Sequence, residues 1–255
     1  MAHINESHIE LADIQLFTKD LGYQHIDGWE KKLIGRETLK DVVLIDRLRN
    51  SLENLNKHLP SECIEHAVYE LTKSRATLTP VLANKEIYEL VKNGVPVTYK
   101  NESGREENDY VRIIDFNDKT ENDFLVVSQL SIEYQETQNI TRRPDLLLYV
   151  NGLPLVMIEL KNATEKVKVG FDKNLKEYQR DIPQLFWYNL FVCISNGIQT
   201  RVGSFNAPWD HFFTWLKLKD TAITHEQPSK DEIEEESKRT GEHLSLKIFG
   251  EGLCK

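Results

Sequence analysis

Two apolar runs, Leu146 to Val150 and Leu155 to Leu160, are joined through Asn151-Gly152 and bounded by charged residues. Neither run alternates apolar with polar positions, a pattern that suits strands covered on both faces. Asn-Gly between such runs is a strong hairpin signal, because both residues accept the positive φ that a tight turn requires. A central strand pair therefore organises the chain. Asp145 stands at the start of one strand, and Glu159 and Lys161 stand at the end of the other. Charges at the ends of buried strands cost free energy unless they are paired or hold a cation.

Glu159 and Lys161 lie two apart and so share one face of their strand. Whether Asp145 joins them depends on the turn. A strict two-residue Asn-Gly loop pairs Val150 with Leu153 and Asp145 with Ile158, which leaves the acids on opposite faces. A three-residue loop, or a bulge, pairs Val150 with Pro154 and sets Asp145 opposite Glu159. In the second register the two carboxylates offer hard oxygen ligands to Mg²⁺, with the Leu160 carbonyl as an additional ligand. Lys161 would then stand near an attacking water or a scissile phosphate. The plain alternative is a Glu159–Lys161 ion pair at a strand end, and a bare match of this kind often arises by chance.

Around this pair the hydrophobic periodicity predicts an α/β chain. A helix is expected from Ser7 to Leu21, with stripes Ile9/Ala12/Leu16 and Ile14/Phe17/Leu21 interrupted by Glu10. Further helices are expected around Ile45–Leu55, Ile64–Leu71 and Ile87–Val91, the last ending before Gly94, and they form an early helical insertion over about 40–93. From Pro96 the period shifts towards two. Strands are expected over Val97–Lys100, Tyr110–Phe116, Phe124–Tyr134, Asp145–Val150 and Leu155–Leu160, with turns at Arg105–Asp109 and Asn117–Asp123. A helix from about Phe171 to Arg180 stops at Ile182-Pro183, and Leu190–Ser195 reads as another buried strand. The fold class is a mixed sheet flanked by helices.

The resemblance carried by these residues is specific. Asn122 to Val127, Arg143 to Asn162, Asp181 to Asn189 and Ser195-Asn196-Gly197 resemble the N-terminal region of type I restriction enzyme R subunits, from the helix before Gly22-Tyr23 to about Gly203. That resemblance implies a restriction-endonuclease-like nuclease domain of the PD-(D/E)xK, RecB-like kind over 1–218, preceding an ATP-driven DNA translocase. Asp145, Glu159 and Lys161 match the catalytic aspartate, glutamate and lysine of that family. It also implies a QxxxY element after the lysine. Asn174 and Tyr178, i,i+4 neighbours on the nearer helix, are preferred for it, with Asn in place of Gln. Gln184 and Tyr188 fit the spacing but follow Pro183 and read as a packed aromatic turn. Many such nucleases add a carboxylate from the first helix, and here Glu10 is the candidate, with Glu6 one turn earlier as its rival.

The resemblance further implies double-stranded DNA as substrate, Mg²⁺ as cofactor, and modification and specificity subunits as partners. The formal net charge of −9 argues against a chain that coats DNA by itself. Positive charge is instead local: Arg142 and Arg143 before the aspartate, then Lys161, Lys166, Lys168, Lys173, Lys176 and Arg180. A solvated helix face is the plainer reading for Lys166 and Lys168. No GxxxxGK[ST] phosphate loop occurs, so ATP would act only through motor domains outside this chain. The 3 cysteines, Cys63, Cys193 and Cys254, lack metal or redox spacing and read as reduced thiols. No apolar run is long enough to span a membrane and the first residues are not a signal peptide, so a cytoplasmic location without membrane attachment is expected. Residues 219–243 read as a charged linker, and 244–255 as the start of a segment that continues towards the motor. Two alternatives stand beside this reading: a repair or junction nuclease of the same kind, and a non-catalytic domain that guides or docks DNA.

Overall fold

The computed structural model describes residues 5–30, 34–101, 103–134 and 140–215. The expectations for 219–243 and 244–255, and Cys254 with them, lie outside the described residues. Helix α1, Glu6–Gln15, opens with the Asn5 side chain accepting the His8 N–H at 3.0 Å. It runs into a π-helical turn, Leu16–Asp20, that ends before Gly22 at a φ of 75°. Strand β1 is Gln24–Asp27. Three helices follow: α2, Ile45–Leu55, α3, Ser61–Thr72, and α4, Pro80–Asn93, the last closed by Gly94. Strands β2, Val95–Lys100, and β3, Glu106–Val111, form a separate hairpin. The main sheet resumes with β4, Phe124–Ser128, β5, Leu146–Val150, and β6, Leu153–Leu160. A π-helical segment, Gly170–Leu175, leads into α5, Lys176–Asp181, and a 3-10 turn, Pro183–Trp187. Strands β7, Phe191–Ser195, β8, Thr200–Gly203, and β9, Phe213–Thr214, complete the described chain.

Among the described residues the main sheet has the order β1-β4-β5-β6-β7-β8-β9. Its β1/β4 and β6/β7 pairs are parallel and the rest antiparallel, so the sheet is mixed. Every residue of β5 and β6 is buried, as their unbroken apolar runs predict. Helices cover both faces. Helix α1 packs against β6, and the Gly170–Leu175 segment packs against β6 and, at Gly170, against the Ile194 side chain of β7. The α/β fold with a mixed sheet flanked by helices is thus the one expected.

Several local expectations differ. Residues 105–109 were expected as a turn but most of that stretch belongs to β3, and the turn includes Ser103 and Gly104, where the Asn101 side chain accepts the N–H groups of Ser103 and Arg105. Strand β2 buries Val95 and Val97 in alternation, but β3 is exposed over most of its length and is held by polar cross-strand pairs such as Tyr99–Glu107, so β3 carries no apolar alternation. The strand expected over 110–116 accordingly ends at Val111, and the one over 124–134 ends at Ser128. Strand β1 was not anticipated, because Gln-His-Ile-Asp is a short polar edge. On α1 the buried positions are Ile9 and Asp13, followed by Phe17, so neither expected stripe is the buried one: the buried row takes one residue from each and sets a carboxyl between them.

The turn between β5 and β6 is the hinge on which the sheet's centre depends. Asn151 and Gly152 have φ of 50° and 80°, the pattern of a type I′ turn. Asn151 is fully buried, donates to the Ile113 carbonyl at 2.8 Å and to Asn122 Oδ1 at 2.9 Å, and accepts the Asp123 N–H at 2.7 Å. Gly152 allows α2 to approach, since a Cβ there would lie 2.6 Å from Leu48 N. Replacing Asn151 by Gly should cost about 2–4 kcal/mol, from buried partners left unsatisfied. Asn151→Ala should cost roughly 1 kcal/mol more, because alanine adds left-handed strain. Urea unfolding of the two variants tests this, and equal losses would show that the positive φ is not a constraint.

Candidate active site

The β5/β6 register settles which of the two arrangements occurs. The loop is the two-residue one, with Val150 opposite Leu153, yet the pairing shifts between Leu148 and Tyr149. Tyr149 faces Pro154 and Leu148 faces Val156, so Leu155 is an extra residue, a bulge. Beyond it Leu146 pairs with Ile158, and one step further the same register sets Asp145 opposite Glu159. The acids meet through a bulge placed beyond the turn, with the tight turn kept.

Asp145 is 7% exposed and Glu159 1%. Asp145 Oδ2 accepts the Leu160 N–H at 2.7 Å, and its Oδ1 accepts the Gln129 side-chain amide at 3.2 Å. Lys161, anchored by its N–H on the Ser195 carbonyl at 2.8 Å, turns its ammonium back. Its Nζ lies 2.6 Å from Glu159 Oε1 and 2.6 Å from the Leu160 carbonyl oxygen. Tyr178 donates to the other oxygen, Glu159 Oε2, at 3.0 Å, and Asn174 one turn earlier bonds to Tyr178. Gly170 lets this segment pack on β7, since a Cβ there would stand 2.7 Å from the Ile194 side chain, while towards Glu159 Cγ it would make only ordinary contact at 3.5 Å.

The first helix docks by its N-terminus. The Glu6 N–H donates to Asn162 Oδ1 at 3.0 Å, next to Lys161. Glu10 Oε2 accepts from the same Gln129 nitrogen at 2.8 Å. Both expected carboxylates of α1 therefore approach the site: Glu6 lies within the fields of Asp145 and Lys161, and Glu10 joins Asp145 through an amide. Arg143 is exposed and close enough to favour the charge of Asp145, whereas Arg142 is taken up by Glu177 at 2.9 Å and by Asp181. Gln184 donates to the Glu133 carbonyl at 2.7 Å and Tyr188 to the Leu71 carbonyl at 3.0 Å, so that pair serves packing. Lys166, Lys168, Lys173, Lys176 and Arg180 are exposed. Gln129 and Gly170 were not singled out in the sequence; Asn162 stood inside the quoted run without a role.

Desolvation dominates the electrostatics. Burial, reinforced by Asp145, pushes the Glu159 carboxyl up to about 8 against the opposing contacts of Lys161 and Tyr178. Asp145, Glu6 and Glu10 are also raised, first by burial. Burial works against the charge of Lys161, but Glu159, Asp145 and Glu6 outweigh it and hold the ammonium protonated. Among the described residues no three His, Cys, Asp or Glu side chains converge as a ready metal cluster. Two carboxylates and a main-chain carbonyl remain a donor set of hard oxygens that could hold Mg²⁺, which commonly uses one or two carboxylates and keeps its waters.

The family described as "Type I restriction enzyme R protein N terminus" matches residues 3–211. A Methanocaldococcus jannaschii protein described as a candidate type I restriction enzyme MjaIXP endonuclease subunit is 33% identical over 219 residues, 84% of this chain and 21% of that protein. The type I restriction enzyme HindI endonuclease subunit of Haemophilus influenzae is 33% identical over 219 residues, 83% of this chain and 20% of its own length. The SauCOLORF180P endonuclease subunit of Staphylococcus aureus is 28% identical over 152 residues, 57% of this chain and 16% of that one. The chain thus spans about a fifth of the length of the first two relatives.

The raised Glu159 carboxyl has a stability consequence. Its ordinary value is 4.5 and its folded value about 8, so the fold prefers the protonated form. That contribution is complete below 4.5 and is lost as pH rises through about 8. In a chelating buffer, the melting temperature of the wild type should therefore fall relative to Glu159→Gln between about pH 5 and about pH 8.5. Parallel profiles would show that Glu159 keeps an ordinary pKa.

Proposed function

Since this chain belongs to the type I restriction enzyme R protein N-terminal family, we propose that Asp145, Glu159 and Lys161 form a Mg²⁺-dependent centre that cleaves double-stranded DNA. The observation that carries this reading is the Leu155 bulge, which brings two buried carboxylates and a lysine ammonium to one strand end. Asp145, Glu159 and the Leu160 carbonyl are the residues that would hold the cation, with Glu10 at the rim. Mg²⁺ bound there supplies Lewis-acid activation of water and neutralises phosphate charge.

The chain's own residues supply the rest. Tyr178 orients Glu159 by donating to one carboxylate oxygen, and Asn174 steadies Tyr178. Lys161 is protonated and stabilises the negative charge that builds on the phosphate as water bonds to phosphorus and the sugar oxygen leaves. Exposed Arg143 offers its guanidinium to the DNA backbone on the approach to Asp145. The net charge of −9 limits how tightly the chain alone holds DNA. The translocating motor and the modification and specificity subunits of a restriction complex would bring the duplex to this centre, with ATP used by the motor.

The test is substitution within the reconstituted complex. Asp145→Ala and Glu159→Ala should abolish cleavage by removing a ligand. Lys161→Ala should leave cation binding in place while lowering the cleavage rate by about 10²-fold or more. ATP hydrolysis and translocation should be unchanged in all three, and melting temperatures should not fall sharply, because removing a carboxylate from this crowded site relieves repulsion. Retained cleavage in either carboxylate variant would refute the assignment. So would loss of cleavage only where the fold is lost.

A further inference from the structure

Strand β4 ends at Ser128, and the next residue adopts a backbone that side chains rarely take: Gln129 has a φ of 54°. Nothing in the turn is a glycine that would make this easy. The surrounding chain enforces it. The Gln129 N–H donates to the Asp145 carbonyl at 2.8 Å, and Gly28 packs so close that a Cβ there would clash with the Gln129 main-chain carbonyl. Ser128 is gripped by His25 at 2.9 Å and Asp27 at 2.8 Å. A non-glycine residue held in the left-handed region by its neighbours is a place to ask what the side chain does.

Its side chain bridges two acids. One nitrogen, Nε2, lies 2.8 Å from Glu10 Oε2 and 3.2 Å from Asp145 Oδ1. Glu10 comes from α1 and Asp145 from the start of β5, so this amide is a side-chain link between the first helix and the catalytic strand pair. We infer that Gln129 is a positioning residue, a neutral clamp that sets Glu10 beside Asp145 and so admits the first-helix carboxylate to the cation site. The inference rests on the cation-binding reading of Asp145 and Glu159.

The chemistry of the side chain fits the task. An amide donates to both carboxylates without cancelling their charge, so the site keeps its net negative potential for a divalent ion. A lysine at this position would reach the same oxygens but carry its own positive charge and compete with the ion. Asparagine tolerates the left-handed backbone, yet its amide is one carbon short of spanning both acids. Gln129 therefore has length, donor and neutrality together.

Mn²⁺ binding measured calorimetrically on the whole chain without DNA reads the effect directly, independent of cleavage. Gln129→Asn should fold as the wild type and bind Mn²⁺ about tenfold more weakly, the loss of one to two charge-assisted hydrogen bonds. Gln129→Lys should weaken Mn²⁺ binding further while raising the melting temperature in chelator. In a Glu10→Gln background the Gln129→Asn change should have little further effect, because the carboxylate it positions is gone. If Asp145→Ala abolishes Mn²⁺ binding but Gln129→Asn and Gln129→Lys bind as the wild type does, the clamp is overturned and the site stands. If Asp145→Ala itself leaves binding unchanged, the cation site is what fails.

Discussion

A single unpaired residue in β6 decides the chemistry available to this fold. With a tight turn at Asn151-Gly152 and no bulge, Asp145 would face Ile158 and the two acids would point to opposite sides of the sheet. Leu155 adds one residue to its strand, and the period of two turns that addition into a change of face for everything beyond it. The tight turn is retained because it is itself in demand: Asn151 ties it to Ile113, Asn122 and Asp123, and Gly152 admits α2. Turn and bulge together give a rigid hairpin with its charged residues gathered at one end.

Gathering them there has a cost that the surroundings offset unequally. Glu159 is almost fully buried between an ammonium and a phenol, and still its carboxyl stays near 8 because burial outweighs both partners. Asp145 uses a main-chain N–H and the Gln129 amide, and remains raised as well. A buried acid pair that is underpaid by its hydrogen bonds favours whatever brings positive charge, whether protons or a divalent cation. Asp13, buried on the same helix as Glu10 with neither oxygen bonded among the described residues, has its carboxyl pushed well up by burial and favours the neutral form. Lys161 answers part of that demand from within the chain.

The sequence made the centre of the fold legible and the periphery less so. Unbroken apolar runs with Asn-Gly between them identified β5, β6 and their charged ends, and helical periodicity with Gly94 as a stop identified the helical insertion. Strand β3 was misread because Glu106 to Tyr110 are polar or largely exposed, so hydrophobic alternation says nothing about it, whereas the alternation of β2, with Val95 and Val97 buried, was legible. Strand β1 was missed because it is a four-residue edge strand in which Ile26 alone is buried. Within the site, Asp145, Glu159, Lys161, Glu10, Asn174 and Tyr178 all come near one another. The register could be posed only as a pair of alternatives, because a bulge at Leu155 leaves no mark in residue type. Gln129 was invisible: its role depends on a positive φ imposed by Gly28 and Asp145, which are remote from it in sequence.

The local arrangement of charge also separates what the chain can do from what it needs others to do. Arg142 is spent on Glu177 and Asp181, where it fastens the start of β5 to α5, and Arg143 is the arginine left facing water beside Asp145. Under the proposed function, an acidic chain with an exposed arginine beside Asp145 would suit a domain to which DNA is delivered. The most direct test is an Mn²⁺-soaked crystal examined by anomalous scattering. The account predicts a peak about 2.0–2.6 Å from an oxygen of Asp145, an oxygen of Glu159 and the Leu160 carbonyl, with the Lys161 ammonium beside it. A peak elsewhere, or Asp145 and Glu159 found on opposite faces of the sheet, would contradict it.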